Sequence, residues 1–198
     1  MKCLTPLLVA AALFVASPAS AQIFDGDGTV EVSVAGDFVW LSDAPVEKIQ
    51  GTAKGAKGKI STLATDISKT TGTVSVPVEN METGNGLRDK HLKGSDWLDA
   101  KAHPEIVFTI TGLDDVKTEV KGDVKIATGK AQGTIKIHGK EKAISVPITA
   151  KVKGDKVKVS MKFEVALADF AIEGSRGAVG KKVGETISIE GTLTGSAK

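Results

Sequence analysis

The sequence is short of cysteine, tyrosine and net charge, and each shortage removes a class of function. Its single cysteine, Cys3, has no second thiol to pair with. That excludes an internal disulfide and a cysteine-rich zinc centre. Tyrosine is absent, and 2 Trp and 6 Phe are the whole aromatic complement of 198 residues. A base-stacking platform of the kind single-stranded nucleic acid needs is therefore missing. Lys and Arg number 26 against 24 Asp and Glu, a net charge of +2, and the two signs are interleaved along the chain. An electrostatic search for nucleic acid or anionic membrane requires an excess of one sign that this chain lacks.

Catalytic patterns are missing too. There is no G-x-S-x-G elbow, no S-x-x-K with supporting partners, and no pair of carboxylates near an acid-rich cleft. Gly174-Ser175-Arg176-Gly177 and Gly180 resemble a phosphate-cradling loop only superficially, since no Walker lysine and no helix follow. A flexible loop between the last strands is the expectation, and no enzyme activity is expected. The three histidines, His91, His103 and His138, stand in no HExxH or HxH spacing. A zinc site has weak support on that ground, and surface histidines are the reading, although His91 and His103 meet if their segment folds back.

What is present begins with a secretory signal. Residues 1–21 combine Lys2, an apolar core from Leu7 to Val15, and the small-residue site Ala19-Ser20-Ala21. The apolar run is too short to span a bilayer. Cys3 precedes that core, so it is no lipoprotein acylation site, and it leaves with the signal. The expectation is a periplasmic or secreted protein whose residues 22–198 form one domain.

From Gly28 onward the chain alternates apolar and polar residues, as half-buried strands do. Val30, Val32 and Val34 share a face, and Phe38 and Trp40 resume it after Gly36-Asp37. Residues 48–60 carry Gly51, Gly55 and Gly58, which suit the bends a small barrel needs; a flexible loop over 51–59 is the alternative. Further strands read as 72–78, 105–111, 121–128, 133–138, 143–152, 156–167 and 185–193. Asp114-Asp115, Thr128-Gly129, His138-Gly139-Lys140 and Gly154-Asp155 read as their links. No long amphipathic helix occurs, so the pattern predicts an antiparallel all-β barrel or sandwich. Val and Ile dominate the inward positions, and eight strands close around either packed side chains or one small ligand.

One stretch breaks the alternation. Between Asn80 and Phe108, Asn85 lies between Gly84 and Gly86, a charged helical turn spans Leu87–Leu92, and Gly94 halts it. Ser95 and Asp96 are placed to cap a second short turn carrying Trp97 and Leu98. Asp89 and Lys93 are spaced as a helix-surface pair. The stretch is predicted to carry Leu92, Trp97 and Leu98 over one opening of the β structure.

The run GNGLRDKHLKGSDWLDAKAHPEIVF resembles the signature of the YceI-like, lipid/polyisoprenoid-binding family of secreted bacterial proteins. Thr83, Gly84, Asn85, Arg88, Asp89, His91, Leu92, Lys93, Asp96, Trp97, Leu98, Asp99, Pro104, Ile106 and Phe108 carry the match. GTIKIHGKEKAISVPI and the closing segment from Phe163 to Leu193 fit as well, so the likeness covers roughly residues 28–195. Gly94 departs from the usual small polar residue, and the first strands match loosely. The resemblance implies a lipocalin-like eight-stranded antiparallel barrel, a short helical excursion near 86–100, and an apolar ligand of isoprenoid type, a quinone or polyprenyl chain. It implies a carrier or reservoir role and no cofactor besides that lipid.

The expected lining is Phe38, Trp40, Val76, Trp97, Phe108 and Ile110, continued by Phe163, Val165 and Phe170, with Leu92 at the mouth. Arg88 and His91 are the polar candidates, although capping and local ion pairs also account for Arg88. Two alternatives stay open beside the carrier: an envelope stress or interaction protein with a packed core, and an accessory passing quinone to membrane redox proteins. Monomer and homodimer are both open.

Overall fold

The computed structural model describes residues 23–44, 47–172 and 183–198. The loop at 174–180 and the signal segment lie outside the described residues. Nine strands form: β1 (Thr29–Asp43), β2 (Lys48–Leu63), β3 (Asp66–Pro77), β4 (Met81–Glu82), β5 (Glu105–Lys121), β6 (Val124–Ile137), β7 (Lys140–Lys153), β8 (Lys156–Ala166) and β9 (Thr186–Ala197). Helix α1 (Gly86–Leu92) interrupts them between β4 and β5.

The long strands form a ring in the order β1-β9-β8-β7-β6-β5-β3-β2, and β2 closes it by pairing with β1; β4 adds two residues beside β2. Every pairing is antiparallel. This is the closed eight-stranded barrel that the resemblance implies, and one of the two architectures, barrel or sandwich, that the alternation leaves open. Residues 51–59 belong to β2 and are not a loop. Their glycines admit close neighbours: a Cβ at Gly58 would stand 2.5 Å from the Thr73 carbonyl oxygen on β3.

Two expected links are not turns. Asp114-Asp115 and Thr128-Gly129 face each other across β5 and β6, where the register slips between Asp114↔Lys130 and Lys117↔Thr128. Asp115 takes a positive φ of 54° there, as an extra residue in a bulge does. The three short strands expected at 105–111, 121–128 and 133–138 with their links thus merge into two long ones, and the true turn is Gly122-Asp123.

The links sort to two ends. Ala44 and Glu47, the excursion at 78–104, the β6–β7 turn at His138-Gly139 and residues 167–172 after β8 gather at one end, with α1. At the other lie the turns at 64–65, 122–123 and 154–155. Residues 23–28 lie at that second end, where the Ala64 N–H donates to the Gly28 carbonyl (2.9 Å) and Lys125 pairs with Asp25 (2.5 Å).

The excursion is built locally. The Asn85 side chain accepts from the N–H groups of Leu87 (3.1 Å) and Arg88 (3.2 Å), capping α1. Past Leu92 the chain forms turns and no second helix: the Leu98 N–H donates to the Leu92 carbonyl (3.1 Å) and the Asp99 N–H to Gly94 (2.9 Å). Asp89 and Lys93 do not form the expected contact pair. Asp89 instead accepts from the Thr83 hydroxyl (2.6 Å) and N–H (2.7 Å), and Lys93 Nζ donates to the Glu79 carbonyl (2.6 Å). Thr83 is nearer because β4 ends beside the helix and a neutral hydroxyl needs no long flexible stem to reach the carboxylate.

Candidate functional site

Inside the ring lies a cavity of about 710 Å³. Its walls are the inward faces of the strands. Several of these residues, among them Phe108, Ile148, Val159, Met161 and Phe163, are only half-buried although they pack against the core cluster. An inward side chain keeps accessible surface only where it faces open space, so the Val and Ile lining does not fill the barrel. The volume falls within the roughly 300–1,000 Å³ of small-molecule sites.

All twelve candidate residues lie on this cavity wall. Phe38, Trp40, Ile110, Val165 and Phe170 are buried, and Val76, Leu92, Trp97, Phe108 and Phe163 are half-buried. Arg88 is half-buried and His91 exposed. Of the lining residues only Asn85, Leu87, His91 and Thr128 are exposed. Three of these belong to α1 or its cap, which puts the mouth beside that helix; Thr128 sits in the β5–β6 bulge.

Arg88 spans the mouth. Its Nη2 donates to Glu47 Oε1 at 2.7 Å, linking α1 to the segment between β1 and β2. The guanidinium is therefore not pointed freely inward, and an anionic headgroup would have to compete with Glu47 or share the remaining donors. The Thr83 hydroxyl holds the Asp89 carboxyl below the usual carboxylate range, burial opposes this, and the Thr83 N–H, Lys93 and Arg88 add to the lowering. At neutral pH Asp89 is ionised and pins the start of α1.

Polar groups elsewhere on the wall are mostly satisfied. Thr70 donates to the Ile67 carbonyl (2.6 Å) and lies 2.8 Å from the Thr62 hydroxyl. Ser42 accepts from the Gly184 N–H at 2.8 Å. Trp40 is the exception. Its Nε1 is the one buried side-chain polar atom without a hydrogen-bond partner among the described residues, and it belongs to a residue that lines the cavity. An unpaired buried donor costs roughly 1–3 kcal/mol, and this one is closed off from the cavity as well as from solvent.

Several wall residues were beyond sequence reasoning. Ile23 and Phe24 are 4 % and 8 % exposed and line the cavity from the second end; they precede the first alternating strand, so no periodicity marks them. Met81, in the two-residue β4, is hidden for the same reason. Leu98, expected over the opening, is buried and lines the cavity beside Trp97. His103 does not gather with His91: its ring packs edge-on against His138, with centroids 5.3 Å apart.

Comparison with known proteins agrees with this geometry. The barrel of a polyisoprenoid binding domain from Saccharophagus degradans, implicated in plant cell wall breakdown, superposes with a TM-score of 0.64 at 10 % identity, covering 87 % of this chain and 100 % of that one. BcnA of Burkholderia cenocepacia superposes with a TM-score of 0.63 at 16 % identity, over 83 % of this chain and 95 % of that one. At such identities the likeness is one of fold. In sequence, a UPF0312 protein of Pseudomonas putida is 26 % identical over 149 residues, 72 % of this chain and 73 % of that protein. Protein YceI of Escherichia coli O157:H7 is 23 % identical over 130 residues, and the match spans 60 % of each chain. The family description "YceI-like domain" matches residues 24–194, a span that takes in every long strand and the helical excursion, and the chain accordingly belongs to the YceI-like family.

Proposed function

We propose that the barrel holds one isoprenoid-type lipid, of prenyl quinone or polyprenyl kind, and acts as its carrier or reservoir in the periplasm or outside the cell. The observation that carries this reading is a largely apolar cavity of about 710 Å³ enclosed by the closed ring of strands. A prenyl tail in the cavity leaves water at roughly 0.8 kcal/mol per buried methylene. The exposed lining residues Asn85, Leu87 and His91 gather at α1, where a polar head would meet water. The head therefore sits toward the mouth and the tail runs toward Ile23 and Phe24. Polyisoprenoid binding by the S. degradans domain supports the ligand class.

Organic extraction and native mass spectrometry of protein purified from a cell envelope test the reading. A prenyl lipid recovered near one-to-one supports it. Protein that leaves the envelope without lipid and does not take up a short-chain prenyl quinone in vitro overturns it. Exchange with a membrane quinone enzyme would then follow from acceleration of quinone reduction by added protein.

A further inference from the structure

We propose that Asp99, His103 and His138 form a binding site for a divalent transition-metal ion of the zinc class, outside the lipid cavity and independent of it. Each residue offers one donor atom, and all three donors lie within 4.8 Å of one another. All three residues are half-buried. They come from segments 35 or more positions apart, which only the barrel topology joins: Asp99 and His103 from the excursion, His138 from the β6–β7 turn. That distance in sequence is why no ligand spacing announces the site.

Three features hold the donors in place. The His103 N–H donates to the Asp99 carbonyl at 2.7 Å, fixing these two residues on one turn. The Asp99 carboxylate accepts from the Ala102 N–H through Oδ1 at 3.2 Å, leaving Oδ2 without that bond. Nδ1 of His138 lies 3.2 Å from the Phe170 carbonyl oxygen. Only a donor can face a carbonyl, so that contact puts the proton on Nδ1 and the lone pair on Nε2, the outer-shell arrangement that prepares a histidine to ligate.

Backbone strain singles out the same residues. Four non-glycine residues among those described have a positive φ, and two of them are Asp99 (46°) and His138 (48°). A left-handed conformation is uncommon outside glycine and is retained where the surroundings dictate it. Gly139 is positive as well, at 73°, and a Cβ there would stand 2.7 Å from His103 Cε1. The bare turn thus lets the His103 ring approach His138.

Two imidazoles and one carboxylate suit Zn²⁺, Co²⁺ or Ni²⁺ better than the all-oxygen preference of Ca²⁺ or Mg²⁺. Bonds of about 2.0–2.1 Å put tetrahedral ligands roughly 3.3 Å apart, so binding draws the donors together by side-chain rotation, with water completing the shell. The ion would tie the turn carrying Trp97 and Leu98 to the β6–β7 hairpin, strapping that end of the barrel.

Isothermal titration of chelator-treated full-length mature protein with ZnCl₂ is the test, repeated on Asp99→Asn, His103→Phe and His138→Asn; Asn is chosen at 138 because it tolerates a positive φ. One-to-one saturable binding that weakens at least about 10-fold in each variant supports the site. Absence of saturable binding, or binding that survives in any folded variant, overturns it. Imidazole ¹⁵N spectra of the wild-type protein provide the second readout should a variant fail to fold. Zinc must shift the ring signals of His103 and His138 and leave those of His91 in place; any other pattern refutes the assignment.

Discussion

The indole of Trp40 lies directly against the α-carbon of Gly51 on the neighbouring strand, leaving no room for a Cβ at position 51. A methyl group there meets Trp40 Cζ2 and Cε2, and stands 2.7 Å from the Glu82 carbonyl oxygen. Gly51→Ala must therefore push the indole into the cavity. Overpacking of this kind costs about 1–3 kcal/mol, and the expected result is a lower denaturation midpoint with an unchanged m-value, accompanied by loss of the bound lipid.

Replacing Trp40 with Phe keeps most of the ring and removes the unpaired N–H. In lipid-free protein the change is expected to be neutral to mildly stabilising once the small packing loss is offset, because a buried unsatisfied donor disappears. Affinities for a prenyl quinone and for a prenyl hydrocarbon without an acceptor should change by the same factor, since Nε1 is closed off from the cavity and only the packing against the ligand is altered. Titration with the two ligands checks this, and a loss confined to the quinone would show that the indole turns to meet its carbonyl.

Phe108 and Phe163 line the cavity from β5 and β8 and remain half-buried. Phe108→Asp or Phe163→Asp places a carboxylate in that apolar space, where it stays solvated only if water replaces the lipid. Each variant is expected to fold, as judged by circular dichroism, and to retain no lipid in native mass spectra. A variant that keeps a full complement of lipid would show that the ligand lies elsewhere.

Asp89 links stability to acidity. Its folded-state pKa lies below the ordinary value because Thr83 donates to the ionised form. A depressed carboxyl contributes stability that is fully present above the unfolded value, about 3.9, and is lost as pH falls through the lower folded value. Asp89→Asn should thus lower the melting temperature at neutral pH, and the gap from wild type should close as pH falls below the unfolded value and through the lowered folded one. Paired thermal melts across that range check the sign.

The alternation from Val30 to Trp40, and again from Ile106 to Ile110, was enough to fix which faces point inward, because one strand period translates directly into sidedness. The excursion was legible for a different reason: Asn85 and Gly94 carry capping and stopping chemistry that acts within a few residues. Asp114-Asp115 and Thr128-Gly129 misled because the residues that favour turns also favour bulges, and only the partner strand decides between them. The Arg88–Glu47 pair, the approach of His103 to His138 and the cover supplied by Ile23 and Phe24 depend on contacts between distant segments. No local pattern records those.

Because β1 pairs with both β2 and β9, the ring of strands closes on itself. The two ends of the ring's chain are stitched together as well: Glu31 and Lys198 exchange N–H to carbonyl bonds of 3.2 and 2.8 Å. Ladders on both flanks hold the strands around most of the circumference, but β7 meets β8 only from Ile148 to Lys153, so Lys140–Pro147 of β7 are laddered on the β6 side alone and the wall is held least firmly there.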